Sequence, residues 1–412
     1  MRRPAIVLLT CLALLGAACS DDSATSSGTS AAPVARDDVV TGGTDPDVLS
    51  IVVIGDSVAS GEGIAYGYTY DYDAEDPDES AWTGGTEDPT WQGEYPLCHD
   101  DAEAYGDLVA QALDARLAKF ACTGASYLNG ITTAETVSSG SGPIQQTMRP
   151  AQFGNWTTGE ELNPAYDAAE PDVVVLTFGA DDVHFVDIIE YCVLGFEPGD
   201  AQDQAIADSD DPRAAIDAAL AQRLPELVAA RAAGDTSAGD ESSASVCTAG
   251  NAGATIDKLF WEPINNGEIA DHYQSIVSAI QARGNDPAYG DGKVPEIVFT
   301  TYHQPLPAGL DGDCWDVWPL SSAEQQYLQS LQDTLQSTLE SAVKDLEGVT
   351  IADISGTMDG HEWCSEDPWA YGLSIINQDV NVESQAPFHP TPEGQAAIAA
   401  IVESSIRSVT GR

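Results

Sequence analysis

The sequence predicts a three-layer α/β/α sandwich built on a five-stranded parallel sheet, and three observations lead there. Five short apolar runs lack the polar alternation of a half-exposed strand, as expected where helices cover both faces of a sheet. Amphipathic patterns of helical length separate several of these runs, which is the alternation of an open α/β sheet. The chain closes on a helix with clear punctuation: Thr391 stands as N-cap, Pro392 suits the first helical position, and Ile398, Ile401, Ile406 and Val409 form an apolar stripe.

The elements follow in order. Residues 1–19 are a targeting segment. Arg2 and Arg3 precede an apolar stretch, Ala5 to Ala18, too short to span a bilayer as a stable helix. It ends Leu15-Gly16-Ala17-Ala18-Cys19, which resembles a bacterial lipobox with Cys19 as the lipidated first residue of the mature chain; cleavage near Ala18 and full secretion is the alternative. Either way the mature chain lies outside the cytoplasm, lipid-anchored in the first case. Residues 20–48 are mostly Ser, Thr, Ala, Gly and Asp, the composition of a disordered tether. Residues 49–412 contain no second linker and read as one domain.

Its strands are expected at Ser50–Ile54, Leu117–Ala121, Asp172–Thr177, Glu296–Thr301 and Val349–Asp353. Helices are expected from Tyr105 to Ala115 (Leu108, Val109, Ala112 and Leu113 on one face), Ile264 to Arg283 and Ser322 to Leu346. Two insertions interrupt the pattern, at about residues 66–95 and 186–255. The second holds a helix from Ala214 that Pro225 should break or kink.

The charge is extreme, 67 acidic against 15 basic residues for a net −52. Such a chain repels nucleic acid and anionic lipid surfaces, which argues against both as electrostatic partners. The densest acidic run, Asp71 to Ser80, fails as an EF-hand: Asp76 stands where glycine is needed and Trp82 where the closing glutamate belongs. Outside the leader six cysteines remain: Cys98, Cys122, Cys192, Cys247, Cys314 and Cys364. An even, widely spaced set in an exported chain reads as three disulfides, their pairing open from spacing alone, and none has the spacing of a zinc site.

The first strand stops at Gly55-Asp56-Ser57. A serine there is a turn former or cap as readily as a nucleophile, but reactive groups gather at the carboxyl ends of strands in open α/β sheets. A hydroxyl nucleophile needs a base and donors for the developing oxyanion. His389, in the proline-flanked APFHPTPEGQ before the last helix, is the best-constrained histidine; His99, His184, His272, His303 and His361 lack so fixed a setting.

Together, Gly55-Asp56-Ser57 after the first strand, Gly124 in ACTGAS after the second, Gly179-Ala180-Asp181-Asp182 after the third, and His389 fall in the order of the SGNH (GDSL) hydrolases, which the domain resembles from about Leu49 to Arg412. The resemblance implies a metal-independent, cofactor-free serine hydrolase of flavodoxin-like fold. Ser57 would attack an ester carbonyl and His389 would shuttle its proton. The backbone N–H groups of Ser57 and Gly124 would hold the oxyanion. It also implies sequential disulfides, Cys98–Cys122, Cys192–Cys247 and Cys314–Cys364, as in secreted bacterial lipases and esterases of this family.

Two positions depart from the family. The asparagine that serves as third oxyanion donor is here Asp181, which donates only if protonated. The aspartate that orients the histidine is here Ala386, whose carbonyl would take that role, with Glu383 and Asp379 as alternatives on the same loop. The expected substrates are lipid or simple carboxyl esters, taken by a monomer that meets the membrane only through its anchor. An O-acetylated polysaccharide is the second reading, and a non-catalytic binding protein on a decayed scaffold the third. Trp315 and Trp318 are candidates for an acyl pocket, and Tyr68, Tyr70 and Trp82 for stacking on sugar rings.

Overall fold

A computed structural model describes residues 40–41, 47–70, 82–84, 96–138, 146–232, 245–251, 253–289, 292–306, 320–363, 365–372 and 387–412. The leader, Cys19, the acidic run at residues 71–80, Cys314, Trp315, Trp318, Cys364, Asp379, Glu383 and Ala386 lie outside these residues, and the third disulfide with them.

All five expected strands are present. β1 (Val40–Thr41) precedes them, followed by β2 (Ser50–Gly55), β3 (Arg116–Lys119), β4 (Val173–Thr177), β5 (Glu296–Thr300) and β6 (Val349–Ala352). The sheet order is β1-β3-β2-β4-β5-β6, with β2 to β6 all parallel. The strand order reverses at β2, and this is where open α/β sheets bind ligands. Ile51 to Ile54 and Val173 to Leu176 are fully buried, which explains their unbroken apolar sequence.

β1 corrects one boundary. It falls inside the stretch expected to be a tether and pairs antiparallel with Leu117 and Ala118. Val40 and Thr41 are β-branched, and they cover an edge that β3 would otherwise expose.

Helix α1 (Ser57–Ser60) follows β2 directly, and α2 (Tyr105–Leu113) leads into β3. On α2 the expected apolar face holds at Val109, but Ala112 faces solvent and Tyr105 is buried instead. The second insertion contributes α3 (Phe185–Val193) and α4 (Pro212–Ala232). α4 runs through Pro225 rather than ending there. Burial of Ile216, Leu220 and Leu227 along one side offsets the backbone hydrogen bond that proline cannot make. Then come α5 (Glu268–Asn285), α6 (Ser322–Val343) and α7 (Pro392–Thr410). α6 begins with a capping box, Ser321 and Glu324 each bonding the other's backbone N–H. α2 packs on α7, which also meets β5 and β6, while α5 packs on α6.

Two disulfides join the expected partners, Cys98–Cys122 and Cys192–Cys247. No described helix is long and apolar enough to cross a membrane.

Candidate active site

The site begins where β2 stops. Gly55 is required there: a Cβ would meet the Thr177 carbonyl oxygen at 2.3 Å. Gln152 clamps this glycine by accepting from its N–H and donating to its carbonyl, both at 2.8 Å. Asp56 then caps α1, its Oδ1 accepting from the Val58 N–H at 3.1 Å. Ser57 is the first residue of α1, at the carboxyl end of a central strand.

His389 arrives on the loop into α7, whose N-cap Thr391 accepts from the Gly394 N–H. Its Nε2 stands 2.8 Å from Ser57 Oγ, across a sequence separation of 332 residues. The imidazole is largely buried, while the serine is half-buried. Nδ1 faces the Pro387 carbonyl at 3.1 Å, so a backbone oxygen holds the tautomer that presents Nε2 as base toward the serine. Ala386 is outside the described residues, and the carbonyl seen at Nδ1 is the one that follows it. Phe388, between the two, has φ 69°, a left-handed conformation that a bulky residue rarely adopts. His303 steadies that turn: burial pushes its pKa down to about 4, and the neutral ring donates from Nε2 to the Phe388 carbonyl at 2.8 Å.

Gly124 stands after β3 with φ +77°, which favours glycine, and its loop is tied in two ways. Cys122, two residues before it, is bonded to Cys98 and donates its backbone N–H to the Gly55 carbonyl at 3.0 Å. Tyr127, three residues after it, donates its N–H to the Asp182 carboxylate at 3.1 Å. Asp182 also meets His272 Nδ1 at 2.9 Å, and the Tyr127 and His272 rings stack at 4.3 Å. His272 is thus part of the frame that joins the Gly124 loop to the turn after β4.

Asp181 is half-buried at the start of the short helix Asp181–Val183 after β4. Burial and then the Asp56 charge push its pKa well above the usual carboxylate range, while Arg213 from α4 pulls the other way. Asp56 is itself raised to about 7, chiefly by burial, although Tyr302 donates its hydroxyl to Oδ2. The same hydroxyl accepts from the Ala180 N–H at 3.0 Å, linking the turn after β2 to the turn after β4. Withdrawn from solvent wholly at Asp56 and partly at Asp181, these carboxyls hold protons at pH values where exposed carboxylates do not.

Sequence reasoning missed Gln152, Tyr302, Arg213 and the pair Glu62–His99, because each acts through contacts between distant segments that no spacing encodes. Glu62 had the clearest signal, a charge in an otherwise small, apolar run after Ser57. Among the described residues no group of three or more His, Cys, Asp or Glu side chains is arranged to hold a metal ion.

No family model matches the chain, and no curated protein matches it. Among solved structures it is similar to an extracellular lipase from Streptomyces rimosus, at 16% identity over 87% of this chain and 100% of that one, with a TM-score of 0.43. It is similar also to a phospholipase A1 from Streptomyces albidoflavus, at 18% identity over 87% and 99% with a TM-score of 0.46. A third is Est24, a carbohydrate acetylesterase from Sinorhizobium meliloti, at 9% identity over 88% and 99% with a TM-score of 0.35. Five parallel strands in this order, with a serine and a histidine meeting beyond their carboxyl ends, form the kind of α/β fold that the resemblance to the SGNH hydrolases implies.

Proposed function

We propose that this protein is an extracytoplasmic serine ester hydrolase working through an acyl-serine intermediate. One observation carries the reading, the 2.8 Å contact between His389 Nε2 and Ser57 Oγ. His389 takes the hydroxyl proton as Oγ attacks the ester carbonyl, then returns it to the leaving alcohol; a water repeats the sequence to release the acid. The Pro387 carbonyl accepts from the Nδ1–H through both halves. The N–H groups of Ser57 and Gly124, and Asp181 in its protonated form, are the oxyanion donors.

Export is supported by the two disulfides, which form and persist in oxidising compartments. Lipidation at Cys19 then keeps the enzyme at the membrane surface. Labelling with a fluorophosphonate probe tests the chemistry: covalent modification at Ser57, lost in His389→Ala, is expected. A folded, oxidised protein that takes up no probe is instead a binding protein on this scaffold.

Lipid or simple carboxyl esters are the first substrate reading. Acetylated polysaccharide is favoured by one observation: Tyr68 stacks on Tyr66 at 5.7 Å and meets Tyr371 edge-on at 6.1 Å, and the Tyr371 N–H bonds the His389 carbonyl. That gives the histidine loop an aromatic neighbour of the kind sugar rings stack on. Neutral p-nitrophenyl esters of graded length separate the two. An optimum at about eight carbons or more supports a lipid substrate, and activity on acetate alone supports sugar deacetylation.

A further inference from the structure

A histidine oriented by a backbone carbonyl lacks the carboxylate that normally stabilises its cation. We propose that Glu62, held in place by His99, supplies that negative charge to His389 as a positioning residue. The inference rests on the hydrolase reading above.

The geometry begins with the short helix that carries the nucleophile. The Glu62 N–H bonds the Ser57 carbonyl at 3.0 Å, so the glutamate is fastened to the backbone of the serine itself. Its side chain turns inward and is wholly buried. Oε2 lies 2.5 Å from His99 Nδ1, which must carry the proton to face a carboxylate. Oε1 is enclosed, and the Thr123 hydroxyl lends the carboxylate a weak hydrogen bond. A wholly buried carboxylate with so few hydrogen bonds is costly unless a positive charge offsets it.

Burial alone raises the Glu62 pKa, yet the group sits below its usual value because His99 and His389 favour its charged form, with a weaker pull from the Thr123 hydroxyl. The attraction is reciprocal. A carboxylate favoured by the His389 cation favours that cation in turn, which is the form the ring takes while Ser57 attacks.

His99 is positioned by the oxyanion loop. It follows Cys98, which is bonded to Cys122, and the Cys98 carbonyl accepts from the Thr123 N–H at 3.1 Å, one residue before Gly124. One covalent clip therefore places both the partner of Glu62 and the glycine of the oxyanion site.

The test is the pH dependence of kcat/KM on a p-nitrophenyl ester and of fluorophosphonate labelling, in wild type, Glu62→Gln, Glu62→Asp and His99→Phe. Loss of the negative charge destabilises the imidazolium, so the acidic limb in Glu62→Gln should move down by roughly one pH unit, with a fall of about tenfold or more on the plateau. Glu62→Asp should lie between that and wild type. His99→Phe, which leaves the carboxyl without its donor and so protonated, should move the limb in the same direction. Near-UV circular dichroism identifies the variants that fold; if Glu62→Gln does not, His99→Phe decides alone. A folded variant with reduced rate and an unmoved acidic limb overturns the inference and reduces Glu62 to packing. A wild-type protein that never labels at Ser57 overturns the hydrolase reading, and this inference falls with it.

Discussion

Gln395, on the first turn of α7, donates from Nε2 to the Val58 carbonyl at 3.0 Å, joining the helix that follows His389 to the helix that begins with Ser57. Its Oε1 accepts from the Tyr105 N–H at 2.9 Å, so one fully buried amide spans three elements. Gln395→Ala leaves the Tyr105 donor and the Val58 acceptor buried and unpaired. The expected cost is about 3 kcal/mol, together with a fall in kcat that exceeds any rise in KM, because the segments that carry Ser57 and His389 lose register. Urea denaturation and steady-state kinetics on one ester measure both. A variant that loses stability but keeps kcat would show that the loops hold Ser57 and His389 together without this bolt.

The Cys98–Cys122 bridge closes a sequence separation of 24 residues. Replacing both cysteines by serine should cost about 3 kcal/mol from the unfolded chain's regained freedom. It should also lower activity in the protein that remains folded, since Thr123 and Gly124 lose their anchor to Cys98. Cys192–Cys247 lies in the insertion, and its removal should lower stability without that second effect. Melting temperature and kcat/KM for the two double variants make the comparison.

The strands were legible because burial on both faces leaves an uninterrupted apolar run, as Val52 and Val174 show. The meeting of Ser57 and His389 was legible because each stands where an element ends or begins, beside residues with strong conformational rules. Pro225 does not break the helix, because proline marks helix ends only on average and in α4 packing overrides it. The partners of the site were hidden for another reason. Gln152, Tyr302, Arg213 and His99 come from four separate segments, and only the folded chain brings them to Gly55, Asp56, Asp181 and Glu62. Polar side chains at such distances leave no period or spacing to read.

Stability should be greatest in mild acid. Burial raises Asp56 to about 7, Asp107 to about 6, Glu135 to about 7 and Glu190 to about 8, with Asp217 and Asp187 adding to the shift at Glu190. Each binds a proton in the folded state over a range where the unfolded chain has released it, so stability falls as pH rises from about 4 through these values. Glu62, Asp203 and Asp353 are lowered, and their contribution is lost as pH falls through the folded values, below about 4. The net charge of −52 penalises compactness further as the pH rises. The urea midpoint should therefore be higher at about pH 5.5 than at about pH 8, and Glu190→Gln should narrow the gap. A midpoint that rises steadily with pH would show that these carboxyls ionise normally.

Asp181 should set the alkaline side of the activity profile. Its raised pKa, from burial first and the Asp56 charge second, keeps a carboxylic acid O–H available where the SGNH resemblance puts an amide. Ionisation turns that donor into a repelling charge, so kcat/KM should fall as pH rises through the Asp181 pKa. Asp181→Asn should abolish this fall and exceed wild type by roughly 100-fold once the native residue is fully ionised. Arg213 lowers the Asp181 pKa, so Arg213→Gln should carry the fall to higher pH while leaving the acidic limb in place. A flat alkaline limb in wild type, with Asp181→Asn slower at every pH, would exclude Asp181 as a donor to the oxyanion and leave that task to Ser57 and Gly124.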